Sequence, residues 1–137
     1  MVVELGFELQ LLHVDLKQGL WVIRARWAPA AAIARHYHAG PVLAVTLQGQ
    51  WFYRESPDQV NSAGSYLFEP AGSIHTLTVP ADQSGPTVVW FAITGPNLNL
   101  SYTDQVVSIV DAASILGLYR AGCTAMGQGS DHVIVVD

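Results

Sequence analysis

The sequence predicts an all-β fold, a sandwich or barrel of short strands with one helix packed on its outside near the C-terminus. The segment 20–27 has apolar residues at every second position, which is the period of a half-buried strand, and further short apolar segments follow it. Gly and Pro interrupt these segments often, with 12 Gly and 7 Pro among 137 residues. Chains in which turn residues separate many short strands typically form sandwiches or barrels.

The clearest strand is predicted at 20–27. Trp21 and the following odd-numbered positions up to Trp27 are apolar, whereas Arg24 and Arg26 fall on the opposite face. Because side chains alternate across a strand, one face is expected to pack inward while the other meets solvent.

Further strands are predicted at 42–47, 50–55, 65–69, 75–79 and 87–94. The segment TVVWFAIT at 87–94 is apolar almost throughout, which predicts burial on both of its faces. Polar turns at 56–58 and 82–86 separate neighbouring strands.

One helix is predicted, over 111–121. Asp111 is a favourable N-cap, Gly122 suits the C-terminal end, and Ile115, Leu118 and Tyr119 form an apolar stripe. The remaining segment is Gly-rich and then apolar. We therefore predict a single domain over 1–122, with 123–137 as a C-terminal tail of unknown order.

Composition excludes several classes of protein. Half of the residues are hydrophobic and 12% are charged, which predicts a folded chain rather than a disordered one. The net charge is −5 and Lys17 is the one lysine, which argues against nucleic acid or an anionic membrane as partner. The single Cys123 cannot form an internal disulfide, and the N-terminus lacks the basic region of a signal peptide, so we expect a cytoplasmic protein.

Three of the five histidines fall in a pattern that indicates a metal site. His36 and His38 form HYH, and residues two apart on a strand point to the same side. By itself this pair could equally be two polar residues on a wet face. His75, however, closes the run GSYLFEPAGSIH, in which Pro70 ends one strand and Gly72 permits the turn that leads into the next.

Other chemistry-bearing residues are expected to be incidental. His13 and His132 lie outside the pattern, and surface positions are predicted for them. Cys123 has no catalytic partners nearby in the sequence, which predicts an inert thiol. Trp51 and Tyr53 share one face of a strand and are the candidate residues for a substrate pocket.

The two histidine segments resemble the two motifs of the cupins, small jelly-roll β-barrels. The first motif, G-x5-H-x-H-x(3,4)-E-x6-G, is matched by His36, His38 and Gly49, with Ala30 in place of the leading Gly and Val42 in place of the Glu. The second motif, G-x5-P-x-G-x2-H-x3-N, is matched by the residues Gly64, Pro70, Gly72 and His75, with Val79 in place of the Asn. The resemblance implies a single-domain cupin whose metal-binding motifs lie within 30–79.

The missing carboxylate at Val42 bears on the chemistry that the resemblance implies. Three neutral imidazoles from His36, His38 and His75 would leave a divalent ion its full charge, so that it acts as a stronger Lewis acid with open positions. Imidazole suits iron, zinc, copper and nickel, so the ligands alone do not name the metal.

Among three-histidine cupins, the chain resembles the 2,4'-dihydroxyacetophenone dioxygenases and the acetylacetone-cleaving dioxygenases. The resemblance implies an enzyme that uses Fe(II) and O2 to cleave a carbon–carbon bond in a small ketone, although Zn, Ni, Mn or Cu could occupy the purified protein. It also implies a polar role beside the metal for Glu69, six residues before the last histidine. Glu55 is the nearest match to a second glutamate that the dihydroxyacetophenone group associates with its metal.

Both glutamates could have a purely structural role, and the fold is also compatible with other functions. Glu69 could form a salt bridge with an arginine across the barrel, and Glu55 lies beside a turn where solvation is expected.

A non-catalytic or sensory zinc cupin, as in some anti-sigma factors, is the alternative function. Sugar isomerases of the cupin fold are a third, but they often lack the histidine triad. The resemblance further implies a homodimer, with the apolar segments 1–12 and 132–136 as candidate contacts.

Overall fold

The computed structural model describes residues 1–4 and 7–137, and for residues 2–4 it describes the backbone only. Fourteen strands and one helix occupy these ranges. The strands are β1 Val2–Glu4, β2 Phe7–Asp15, β3 Leu20–Trp27, β4 His36–His38, β5 Val42–Gln48, β6 Gln50–Tyr53, β7 Asn61–Ser62, β8 Tyr66–Glu69, β9 Ser73–His75, β10 Leu77–Thr78, β11 Thr87–Thr94, β12 Asn97–Leu100, β13 Val106–Val110 and β14 Ile134–Val136, and the helix is α1 Ala112–Ala125.

The strands form one large sheet and two small ones. The large sheet has the order β1-β2-β3-β11-β5-β8, and β14 also pairs with β2. The small sheets have the orders β10-β6-β7 and β13-β12-β4-β9. The predicted all-β class with one C-terminal helix is therefore confirmed.

The core lies on the inner face of the large sheet, as the alternation in β3 predicts. Trp21, Ala25 and Trp27 are buried, while the intervening arginines are exposed. Six of the eight residues of β11 are buried, so its predicted burial on both faces is confirmed. Trp51 is fully buried, and its indole Nε1–H donates to Thr46 Oγ1 over 2.8 Å. This bond satisfies a polar group that would otherwise destabilise the core.

Helix α1 begins where the sequence predicts and ends later. Asp111 is the N-cap, and it forms a reciprocal capping box with Ser114. The helix continues to Ala125, so the boundary expected at 122 falls inside it. Gly122 was expected to end the helix; it instead lies within the last turns, where a Cβ would collide with the side chain of Met1.

The apolar stripe of α1 also differs from the expected one. Leu118 is 56% exposed, whereas Leu116 and Cys123 are buried together with Ile115 and Tyr119. These positions follow the i, i+4 spacing of a single helix face, from which Leu118 is offset. Within the described ranges, α1 lacks the length and apolarity needed to cross a bilayer.

Several strands were not predicted. β1 and β2 form an antiparallel pair, and β14 lies parallel to β2 with Ile134 opposite His13. The segment after Cys123, expected only as a tail of unknown order, thus contributes the last turn of α1 and a strand of the large sheet. The strand predicted at 75–79 is divided at Thr76 into β9 and β10.

Candidate metal centre

Two short strands bring the three histidines together. His36 and His38 lie on β4 and point to one side, and His75 on β9 is the antiparallel partner of His36. One ring nitrogen from each of the three lies within 4.8 Å of the others. The juxtaposition that the sequence spacing predicted is therefore present in the fold.

The three imidazoles form a buried, closely packed cluster. His36, His38 and His75 are 5–7% exposed. The ring centroid of His36 lies 4.7 Å from that of each of the other two, and its plane is nearly perpendicular to both. The rings of His38 and His75 lie 5.2 Å apart at an angle of 51°, so no two rings of the cluster are stacked on each other.

Hydrogen bonding leaves nitrogen lone pairs free for a ligand. His36 Nδ1–H donates to the carbonyl oxygen of Ala34 over 2.7 Å, so its Nε2 carries the free lone pair. Among the described residues, neither His38 Nδ1 nor His75 Nε2 has a hydrogen-bond partner. Unpaired buried polar atoms are rare in folded proteins. A divalent ion would satisfy such nitrogens, so the donor set fits a metal.

Burial keeps these imidazoles neutral. It lowers the pKa of His38 and of His75 to about 3 and also lowers the pKa of His36. Neighbouring imidazoles lower the pKa of His38 and His75 further, because two charged rings would repel each other. At neutral pH each ring therefore offers a lone pair, which is the form that binds metals.

Glu69 lies beside the cluster, and neither of its carboxyl oxygens has a hydrogen-bond partner among the described residues. It is 5% exposed, and its Oε2 lies 3.4 Å from His75 Nε2 without hydrogen-bond geometry. Burial raises the pKa of Glu69 to about 8. Since the pKa of His75 is lowered to about 3, the contact at neutral pH joins an uncharged carboxyl to an uncharged imidazole. Within the described part of the chain, no arginine pairs with Glu69, so the expected alternative of a salt bridge is not formed.

Val42 occupies the position of the usual cupin glutamate and is 1% exposed. Its Cα pairs with that of Glu69 across β5 and β8. A carboxyl group is thus present at this edge of the cluster, but it comes from the neighbouring strand, and it lies outside the group of mutually close ligand atoms.

Tyr53 stacks on His75. Their ring centroids lie 3.8 Å apart at an interplanar angle of 13°. Of the two aromatic pocket candidates, Trp51 instead packs in the core against Phe91. The sequence identifies Tyr53 as a pocket candidate because it shares a strand face with Trp51. It does not identify His75 as the stacking partner, because the two residues lie in different sheets.

Glu55 lies outside the histidine cluster. Its side chain is 34% exposed, its Oε1 accepts the backbone N–H of Thr76 over 2.6 Å, and its Oε2 lies 3.4 Å from Arg35 Nη1. The side chain is partly exposed to solvent, as expected, but one carboxylate oxygen is bound to the residue that follows His75. Arg35 was not predicted as part of the site, and its position directly before His36 was the available signal.

The remaining candidates lie apart from the centre. His132 is exposed, as predicted, and its Nε2 lies 3.0 Å from the hydroxyl of Tyr119. His13 is half-buried on β2. Cys123 is a buried free thiol.

Comparison with known proteins places these features in a family. The family model described as the ChrR cupin-like domain matches residues 1–97. A protein of unknown function with a cupin-like fold from Ralstonia eutropha is 34% identical, with a TM-score of 0.91 over 96% of this chain and 81% of that one. No curated protein matches the sequence.

Two further solved structures resemble the chain in fold alone. An acetylacetone dioxygenase from Acinetobacter johnsonii is 24% identical, with a TM-score of 0.77 over 85% of this chain and 78% of that one. The complex of Rhodobacter sphaeroides SigE with the anti-sigma factor ChrR is 17% identical, with a TM-score of 0.54 over 64% of this chain and 45% of that one. The buried histidine triad, the jelly-roll strands that carry it and the match over residues 1–97 together show that the chain belongs to the family of ChrR cupin-like domains within the cupin superfamily.

Proposed function

We propose that this protein is a non-haem Fe(II) dioxygenase that uses O2 to cleave a carbon–carbon bond in a small ketone. The observation that carries the proposal is a buried cluster of three neutral imidazoles with valine at the position of the usual carboxylate ligand. The similarity in fold to an acetylacetone dioxygenase supports it.

The charge of the site indicates the substrate class. His36, His38 and His75 would hold the ion, and a bound Fe(II) would supply Lewis acidity and redox chemistry toward O2. Three neutral ligands leave the charge of a divalent ion uncompensated. An α-hydroxyketone or β-diketone that loses a proton would bring the missing negative charge, and its two oxygens would form a chelate.

The surrounding residues would orient this substrate and exclude water. Within residues 1–4 and 7–137, no group is hydrogen-bonded to the two carboxyl oxygens of Glu69 beside His75, so Glu69 can bind a polar substrate group or exchange a proton with it. Tyr53 covers one face of His75, and the fully buried Trp51 packs behind it. An apolar surrounding of this kind limits the access of water to reactive species.

Metal analysis combined with oxygen-uptake measurements tests the proposal. We expect iron in protein purified without added metal, and oxygen consumption with 2,4'-dihydroxyacetophenone or with acetylacetone. Replacing His75 with Ala should abolish both metal retention and oxygen uptake, whereas His13→Ala, in a histidine outside the centre, should change neither. Full oxygen uptake by the His75→Ala protein would refute the proposed function.

A non-catalytic zinc cupin is the second candidate function. It is favoured by the family match to the ChrR cupin-like domain and by the similarity in fold to the SigE–ChrR complex. Retention of zinc, with no oxygen uptake in the iron-loaded protein, would support this candidate over the dioxygenase.

We further propose that the protein acts in the cytoplasm as a homodimer. The free thiol of Cys123 is consistent with a reducing compartment. Exposed apolar side chains on edge strands, Tyr66 and Phe68 on β8 and Val107 on β13, favour self-association. The sequence predicts the segments 1–12 and 132–136 as dimer contacts. Residues 5–6 of the first segment lie outside the described residues, and residues 134–136 of the second segment pair with β2. Light scattering coupled to gel filtration would measure the mass directly.

A further inference from the structure

The ladder that joins the two histidine-bearing strands is short. β4 and β9 pair over three residues, and His36 opposite His75 is the last pair. The next antiparallel pair would be Arg35 and Thr76, and it is not formed. Backbone pairing resumes beyond it, where the N–H of Ile33 donates to the carbonyl oxygen of Leu77 over 2.9 Å and Ala32 pairs with Thr78. The ladder is therefore interrupted directly beside two candidate metal ligands.

A side-chain carboxylate occupies the place of the missing pair. Glu55 Oε1 accepts the N–H of Thr76 over 2.6 Å, and Oε2 lies 3.4 Å from Arg35 Nη1. The same carboxylate thus connects the residue before His36 to the residue after His75. The carbonyl oxygen of Thr76 also accepts the backbone N–H of Arg54 over 2.9 Å. Both backbone polar groups of Thr76 are therefore bound by the two residues that follow β6.

Arg35 is also bound by Asp104 and by the backbone of Leu100. Its Nε donates to Asp104 Oδ1 over 2.7 Å, and its carbonyl oxygen accepts the N–H of Leu100 over 2.8 Å. Asp104 has a φ of +59°, a conformation that non-glycine residues adopt mainly in turns. The side chains of Arg35 and Asp104 are 37% and 51% exposed, so solvent screens their charges. The short bond to the Thr76 N–H is accordingly the stronger part of the arrangement.

We propose that Glu55 is a positioning residue that closes the gap in the ladder beside His36 and His75 and thereby sets the geometry of the metal centre, with Arg35 orienting its carboxylate. The inference rests on the proposed metal centre. Glu55 acts through Thr76 and touches neither the histidine cluster nor the space between the rings. An ordinary surface ion pair has no bond to the backbone beside His75, so its removal would leave the position of His75 unchanged.

Metal titration of two variants tests the proposal. Glu55→Ala removes the acceptor of the Thr76 N–H, whereas Glu55→Gln keeps a carbonyl oxygen there and loses the charge. Loss of a group that orients a metal ligand typically weakens metal affinity by about 10- to 100-fold. We expect a loss in this range for Glu55→Ala with Co²⁺ and Zn²⁺, together with an altered visible spectrum of bound Co²⁺. Glu55→Gln should stay within about threefold of the unaltered protein.

Glu8→Ala is the matched control, because Glu8 is an exposed carboxylate paired with Arg26 at 3.3 Å on the outside of the large sheet. It should leave metal affinity unchanged. Unaltered Co²⁺ affinity and spectrum in Glu55→Ala would overturn the proposal. So would equal losses in Glu55→Ala and Glu55→Gln, because the charge rather than the bond to Thr76 would then matter.

A readout without metal separates this inference from the proposed function. In the metal-free protein, the amide hydrogen of Thr76 should exchange with solvent faster in Glu55→Ala than in Glu55→Gln, because the alanine variant lacks an acceptor. If neither variant alters this exchange, the positioning role of Glu55 is wrong. If exchange changes as expected while the unaltered protein binds no metal, the metal centre is wrong and the ladder closure stands.

Discussion

Replacing Glu69 with Gln should stabilise the metal-free protein, and by more at neutral than at acidic pH. Glu69 is almost fully buried, and its carboxyl oxygens accept no hydrogen bond from the part of the chain that the structure describes. Burial raises its pKa from the ordinary value of 4.5 to about 8. An acid of raised pKa stabilises the folded state below the unfolded pKa, and this contribution is lost as the pH rises through the folded pKa. Gln resembles the protonated acid in shape and does not titrate.

The magnitude follows from the two pKa values. Each pKa unit corresponds to about 1.4 kcal/mol, so ionisation of Glu69 in the unfolded chain lowers the free energy of unfolding by about 3 kcal/mol at pH 7. At pH 5 the corresponding loss is about 1 kcal/mol, because this pH lies only slightly above the unfolded pKa of 4.5. The Glu69→Gln protein should therefore gain about 2 kcal/mol more at pH 7 than at pH 5.

Urea unfolding in the presence of a chelator measures this difference. The titration of His36, His38 and His75 also makes stability depend on pH, but it is common to both proteins and cancels when they are subtracted. Glu8→Gln, an exposed carboxylate, should show a difference near zero at both pH values. If the difference between Glu69→Gln and the unaltered protein is the same at pH 5 and pH 7, the carboxyl group is not protonated by burial, and the reasoning is refuted.

Three further substitutions test the fold. Thr46→Val should lower the free energy of unfolding by about 1–3 kcal/mol in urea, because the indole N–H of Trp51 loses its buried acceptor; an unchanged midpoint would show that the bond contributes nothing. Asp111→Ala should lower it by about 1 kcal/mol through loss of the capping box, with helix α1 fraying in amide exchange. Gly40→Ala should lower the melting temperature by several degrees, because the new Cβ collides with a backbone carbonyl of β11. Gly117→Ala, where the Cβ meets open space, serves as its control and should melt no earlier.

The elements that the sequence predicts correctly are those whose pattern is local. Strand β3 alternates without interruption, and the cap at Asp111 involves a residue only three positions away. Strand β2 was missed because a bulge between Leu11 and His13 shifts its register, so the alternation breaks halfway along the strand. β14 was missed because its partner lies at the opposite end of the described chain.

The same distinction applies to the candidate site. His36 and His38 are juxtaposed by the period of a strand, and His75 by a turn whose Pro and Gly are readable. The role of Glu55 was not readable, because its carboxylate binds a backbone N–H 21 residues away. No sequence spacing specifies which side chain replaces a missing ladder bond. The stacking of Tyr53 on His75 depends likewise on how two sheets meet.

The pairing of β14 with β2 affects the order in which the protein can fold during synthesis. Ile134 pairs with His13, which precedes it by 121 residues (134 − 13). Until residues 134–136 have been synthesised, this edge of β2 lacks the strand that covers it in the folded protein. A pairing between residues so far apart in sequence requires the closure of a long loop, so it is expected to form late in folding.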